Sequence, residues 1–376
     1  MKSQLVSETE KLDRLIYSPT DAVTATTQYI ESNRQAIESG LGLLFPIDSI
    51  AQEYPIPPIT PGSVFTVEAV TSHGKSTFKE FWIGNAADRI RGNESNEHVI
   101  ISISAEDMVE EQMADTMRRE AAIRGDVESV TMQDGLLEIA AHIGSVPIYY
   151  IGMSIARAGM DVPPMNMTNA WLACERIKER RKDKNINTVF MGVFLDYIQA
   201  MDLDKELMAT VADKRRHLQV SKDFKTFRRL CASLPAPGVC LAQCKTVLSY
   251  APGKNMQTPG LLDIQESSAV AQHTDRAISL WMPKNTHSMN EVLEHGNMKF
   301  KVIPNLVWMR CTKQRGRDPL TLKGLPSGRH WPLLLNFDTG EYYQIDKPED
   351  TLMVDVQTRY ERRIAQGKDP LADSSM

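Results

Sequence analysis

Gly74, Lys75 and Ser76 stand together in "VFTVEAVTSHGKSTFKEFW" (residues 64–82), directly after an alternating apolar run. Between a strand and a helix, this tripeptide can cradle phosphate. Backbone N–H groups of the turn and the first helical residues wrap an anion, Gly74 lets the backbone come close, Lys75 reaches the outer phosphates and the Ser76 hydroxyl ligates Mg²⁺. The stretch Ala69–Ser76 fits a P-loop with Ala69 in place of the first glycine. Nucleotide contacts are therefore expected from Ser72, His73, Gly74, Lys75, Ser76 and Thr77. The competing reading is a polar turn with no chemistry. A phosphate cradle also needs a carboxylate to hold the metal's water. "TVFMGVFLDYIQAM" offers one, because a nearly all-apolar run, as in a strand buried on both faces, ends at Asp196.

These residues work only if regular elements place them. From residue 63 the chain alternates apolar runs with polar, helical segments, which predicts an α/β fold: a mostly parallel sheet flanked by helices. Strands are expected at 64–69, 98–104, 147–151, 188–195, 237–242, 276–282 and 305–312. Residues 19–40 open with Pro19 and Asp21, close with Gly40 and place Ala22, Val23, Ile30 and Ile37 at near-helical spacing, so they predict a helix. The Pro-rich "YPIPPITPG" (54–62) reads as a boundary loop. From Lys347 the chain turns polar and reads as a tail.

Composition narrows the function classes. A chain of 376 residues at 42% hydrophobic can bury a sizeable core. No apolar run reaches the roughly 18 to 20 residues of a membrane span, and the N-terminus lacks the pattern of a secretory signal, so a cytoplasmic protein is expected. Cys174, Cys231, Cys240, Cys244 and Cys311 sit mostly in apolar surroundings and read as reduced core thiols. Cys240 and Cys244 have no second pair to complete a zinc site. The net charge of -5 argues against a protein that coats nucleic acid with its whole surface. A local basic strip remains: seven cations (Lys214, Arg215, Arg216, Lys222, Lys225, Arg228, Arg229) against Asp213 and Asp223, which on helical spacing reads as a solvated face or a subunit contact.

Further motifs give this frame a family likeness. After "AVTSHGKS" and "LDYIQAM" come "VSKDFKTFRRLCASLPAPGVCLAQCK", "PGLLDIQESSAVAQHTD" (259–275) and "CTKQRGRDP" (311–319). In this order, from Gly40 to Asp338, they resemble the RecA-fold motor domain of the hexameric DnaB-type replicative helicases. The resemblance implies three parts: an N-terminal arm with a subunit-packing linker helix (1–40), a RecA-like ATPase motor (41–346) and a polar tail (347–376). It also implies ATP and Mg²⁺ as cofactors, a homohexameric ring, single-stranded DNA as track, and a loader, primase or other mobile-element protein as partner.

Residue by residue, the resemblance assigns Glu106 in "ISISAEDM" as the base that polarises the attacking water, with Asp107 as fallback. Without it, the two acids merely suit a helix N-terminus behind Ser104. Gln243 falls at the family's polar sensor. Lys313 and Arg315, two apart on an extended segment, face one side and correspond to residues that reach the neighbour's nucleotide. The loop holding Lys254, Gln265, Glu266 and Ser268 matches the central DNA-binding loop. Gln265 and Ser268 stand where the family has Arg and Gly, Thr246 replaces the sensor motif's final Arg, and only about 40 residues precede the motor in place of a collar domain. These departures keep two alternatives open: an assembly or regulatory ATPase that does not unwind DNA, and a filament-forming recombinase.

Overall fold

The apolar runs become strands of one sheet. The computed structural model describes residues 18–38, 43–53, 61–91, 97–125, 133–203, 212–245, 258–265, 268–295, 298–314 and 328–345. Its strands are β1 (Val64–Ala69), β2 (His98–Ser104), β3 (Ile148–Ile151), β4 (Val189–Asp196), β5 (Gly238–Gln243), β6 (Arg276–Trp281), β7 (Val292–His295), β8 (Met298–Lys301), β9 (Leu306–Gln314), β10 (His330–Leu335) and β11 (Tyr342–Gln344). Its helices are α1 (Pro19–Glu38), α2 (Asp48–Glu53), α3 (Lys75–Arg91), α4 (Val109–Ile123), α5 (Gln133–Gly144), α6 (Met167–Lys182), α7 (Ala212–Ser233) and α8 (Ser268–His273). The seven expected strands are β1 to β6 and β9. In α1, Pro19 occupies the first helical position and the Ser18 hydroxyl accepts from the Asp21 N–H at 3.1 Å, a capped start.

Nine strands hydrogen-bond in the order β11-β10-β9-β6-β1-β5-β4-β2-β3. β6, β1, β5, β4, β2 and β3 run parallel, and β9, β10 and β11 extend one edge antiparallel. Helices cover both faces, as a parallel sheet requires. On one face, Phe78, Trp82, Ala86 and Ile90 of α3 pack on Phe65 and Val67. The spacing is that of one helical face. Trp82 anchors the layer, edge-on to Phe65 at 5.1 Å, with its indole N–H donated to Leu44 O at 2.6 Å. On the other face, Phe224, Phe227 and Cys231 of α7 and Ala170 and Cys174 of α6 pack on Ile101, Val193 and Cys240. All five cysteines are free and buried.

This order brings four strand ends together. Ala69 pairs with Gln243, and Ser104 pairs with Asp196, so the C-terminal ends of β1, β5, β4 and β2 form one rim. The sheet's crossovers thus gather chemistry that lies far apart in sequence. Among the described residues, no helix is long and apolar enough to cross a membrane.

Candidate functional site: a phosphate loop and its carboxylate rim

After β1 the chain turns through Val70–Gly74 and enters α3 at Lys75, so the loop's N–H groups sit at a helix N-terminus, where backbone dipoles favour anions. Two residues take left-handed backbone, Ser72 (φ 65°) and Gly74 (φ 86°). The loop is fastened from several strands. His73 Nδ1 accepts from the Met282 N–H at 2.9 Å, Asn285 Nδ2 donates to Ser72 O at 2.6 Å, and Tyr342 Oη donates to Gly74 O at 2.9 Å. Gly74 is needed for a reason the sequence does not show. A Cβ there would lie 2.6 Å from Tyr342 Oη, so the missing side chain makes room for a tyrosine as well as permitting the positive φ. Burial, and then Lys75, push the His73 ring down to about 4, which keeps it a neutral acceptor inside the loop. The His73 side chain thus ties the loop to the end of β6, while Ser76 and Thr77 are half-buried at the start of α3.

Lys75 is itself buried, its Nζ 5.5 Å from the centre of the Tyr197 ring. Burial lowers its pKa, while Asp196 and Glu106 pull it back up. Asp196 ends β4 fully buried, and neither carboxylate oxygen accepts a well-aligned hydrogen bond among the described residues. The residue closest to an ion partner for it is one the sequence reading missed. Lys79 Nζ lies 3.0 Å from Asp196 Oδ2 and 2.9 Å from Glu80 Oε1. Burial alone would push this ammonium down, but Glu80 and Asp196 outweigh it and hold the pKa above the ordinary lysine value. The available signal was Lys79's place four residues after Lys75, one helical turn along the same face.

Glu106 follows β2 on an exposed bend. Its carboxyl is raised by partial burial, by Asp196 and by Asp107, with Lys75 and Lys79 opposing. Asp107 is raised by burial and by Asp196. Ser104 Oγ accepts from the Asp107 N–H at 3.1 Å, but α4 starts only at Val109. Ser104 therefore closes a turn and does not cap the helix. A carboxyl whose pKa is raised is a group that can take a proton.

Gln243, at the end of β5, joins the parts of the rim. Its Nε2 donates to Thr71 Oγ1 of the phosphate loop at 2.7 Å, and its backbone O accepts from the Gln265 N–H at 2.9 Å and Gln199 Nε2 at 3.0 Å. Gln265, expected to contact nucleic acid, turns its amide inward and donates to Cys244 O at 3.1 Å. Ser268 is exposed at the start of α8, while Lys254 and Glu266 lie outside the described residues. Lys313 Nζ donates to Ala271 O at 2.5 Å and Gln272 O at 3.3 Å, placing its charge on the last turn of α8 within its own chain. Arg315 lies outside the described residues. Of the basic strip, Arg216 donates to Met201 O at 2.8 Å and Arg228 to His273 O at 2.7 Å, so these two fasten α7. Lys222, Lys225 and Arg229 are exposed.

The donor set suits Mg²⁺ better than a metal held by protein alone. A hydroxyl (Ser76) and one carboxylate with an open oxygen (Asp196 Oδ1) are hard oxygen ligands, and Mg²⁺ usually takes one or two of these plus waters and substrate phosphates. Among the described residues, no cluster of three or more His, Cys, Asp or Glu side chains could hold a metal by itself.

A parallel sheet whose first strand runs into a phosphate loop, with the acidic strand one place removed across β5, defines a RecA-like P-loop ATPase domain. The family model described as the DnaB-like helicase C-terminal domain matches residues 57–315, and the chain belongs to that family. Among solved structures, the ATPase domain of G40P is similar, with a TM-score of 0.60 at 16% identity over 88% of this chain and 100% of that one. A DnaB-like replicative helicase, solved in a study of its interactions with primase, gives a TM-score of 0.55 at 15% identity over 81% of this chain. The match spans 64% of that helicase's chain. No curated protein matches at the sequence level.

Proposed function

We propose that the chain is an ATP-hydrolysing motor that moves along single-stranded DNA as a ring-shaped homo-oligomer, most simply a hexamer. One observation carries this reading: Gln243 bonds the phosphate loop through Thr71 and the central loop through Gln265, so nucleotide state and that loop share one residue. In this reading Lys75 binds the outer phosphates, and Ser76 and Asp196 hold Mg²⁺ and its water. Mg²⁺ supplies charge neutralisation on the phosphates when bound. Glu106 takes the proton of the attacking water, and Gln243 senses the γ-phosphate. Lys313, exchanging its bonds to α8 for the neighbour, and Arg315 complete a neighbour's site, where an arginine finger is worth roughly 10³ to 10⁵ in rate. Lys254, Gln265, Glu266 and Ser268 belong to the DNA-facing loop, with Gln265 acting through its backbone. Residues 1–40 serve as arm and linker, 41–346 as motor and 347–376 as tail, in a cytoplasmic protein that a loader or primase engages.

The inward-turned Gln265 amide favours a second reading, in which nucleotide controls assembly without translocation. ATP turnover with and without single-stranded DNA, on protein of measured mass in solution, separates the two. Stimulation by DNA, weakening as salt rises, is expected of the motor. Turnover indifferent to DNA, with no DNA binding at low salt by an oligomer, would overturn it.

A further inference from the structure

The core face of α3 runs through Phe78, Trp82, Ile83 and Ala86, and Lys79 breaks that apolar run. Its side chain is 1% exposed, and Asp196 is 0% exposed. The ammonium bridges two carboxylates, Glu80 Oε1 at 2.9 Å and Asp196 Oδ2 at 3.0 Å. Asp196 thus carries a resident cation on one oxygen and leaves Oδ1 open among the described residues. An ammonium and a divalent ion sharing one carboxylate repel each other, and in a partly buried site that repulsion is strong.

We propose that Lys79 is a built-in counter-cation of Asp196: a positioning residue that fixes the carboxylate before nucleotide arrives and lowers the dependence of nucleotide binding on Mg²⁺. The inference rests on the reading of Asp196 as the metal-side acid. With Lys79 in place, part of the positive charge facing the phosphates belongs to the protein, and the ion gains less from Asp196. Glu80 sets the balance, because it draws the same ammonium away from Asp196.

Lys79→Met keeps the length of the stem and removes the charge. Binding of a fluorescent adenine nucleotide is titrated with Mg²⁺ and, separately, measured in EDTA. In Lys79→Met, the half-saturating Mg²⁺ concentration should fall by roughly tenfold, and affinity in EDTA should drop. Glu80→Gln leaves Asp196 as the other carboxylate on Lys79 and should move the half-saturating Mg²⁺ concentration the opposite way. Removing one partner of a buried pair destabilises the fold. Melting is therefore recorded with and without Mg²⁺, in the absence of nucleotide, and Mg²⁺ should raise the melting temperature of Lys79→Met more than that of the parent. Should Lys79→Met not fold, the upward shift in Glu80→Gln decides the matter. An unchanged Mg²⁺ dependence, or a shift of both variants in the same direction, overturns the inference. A parent that binds no nucleotide overturns the reading of the site as well, whereas a parent with Lys75-dependent binding and a Lys79→Met variant of parental Mg²⁺ dependence overturns this inference alone.

Discussion

Glu68 on β1 is two residues before the phosphate loop, fully buried, with neither carboxyl oxygen in a well-aligned hydrogen bond among the described residues. The sheet places it beside Ala242 and Ser279, with Arg310 one strand further. Burial pushes its carboxyl from 4.5 to about 8; the Thr312 hydroxyl and Arg310 oppose the rise, and Asp263 adds to it. The folded state therefore holds a proton that the unfolded chain releases. For a group raised in the folded state, the stabilising contribution is fully present below the unfolded value and is lost as pH rises through the folded one. Stability should fall between about pH 4.5 and pH 8, by ~1.4 kcal/mol per pH unit at full slope. At pH 7 the loss amounts to about 3 kcal/mol, since ~2.5 units separate that pH from the unfolded value. Glu68→Gln keeps the shape and removes the titration. Urea unfolding of both proteins from about pH 5.5 to 7.5 should show the variant gaining roughly 2 to 3 kcal/mol on the parent across that range. Parallel stability curves would refute a buried, protonated Glu68.

Lys75→Ala should abolish nucleotide binding and leave the melting curve close to the parent's, because the buried ammonium rests on an aromatic ring and long-range charges; a fluorescence titration measures the first and calorimetry the second. Gly74→Ala should lose nucleotide affinity and cost about 1 to 2 kcal/mol for the left-handed backbone alone. Adding Tyr342→Phe, which removes the hydroxyl but leaves the positive φ, should recover part of the affinity, and no recovery would mean that Tyr342 does not shape the loop. Arg315→Ala should bind nucleotide yet lose turnover, and mixing it with Lys75→Ala in exchanging oligomers should restore some ATPase activity; no rescue would count against a site shared between subunits.

The strands were legible where burial on both faces writes a nearly unbroken apolar run, as in β4 and β5, or where apolar residues alternate with polar ones, as in β1. β10 and β11 were not. "HWPLLL" carries Pro332, which argues against an inner strand, and "YYQ" is too short to show a period, yet both pair at the sheet's antiparallel edge. The Gly74–Ser76 turn and Asp196 could be expected at strand ends because each follows a strand-like apolar run. Lys79, Glu68 and Tyr342 were hidden for the opposite reason. Lys79 looks like a surface lysine on a helix, Glu68 like the polar half of an alternating strand, and Tyr342 is brought to Gly74 from 268 residues away. Only the packed sheet shows that all three face the interior.

Lys79 and Glu68, two of the charged residues buried around the loop, break the rule that interiors are apolar, and such breaks concentrate at functional places. They are compensated differently. Lys79 keeps its charge because two carboxylates surround it, whereas Glu68 gives its charge up by holding a proton. The difference follows from which side of the sheet each one occupies. Lys79 lies on the α3 side, toward the rim where Asp196 and Glu106 gather. Glu68 lies on the opposite side, where Thr312 and Arg310 give it no close ion pair. Near neutral pH Lys79 therefore keeps its ammonium charge, while Glu68 adds no negative charge beside the loop. An ionised Glu68 two residues before the loop would oppose the anion the loop is built to hold. Protonation thus removes an electrostatic conflict that the sequence, read as an alternating strand, does not reveal.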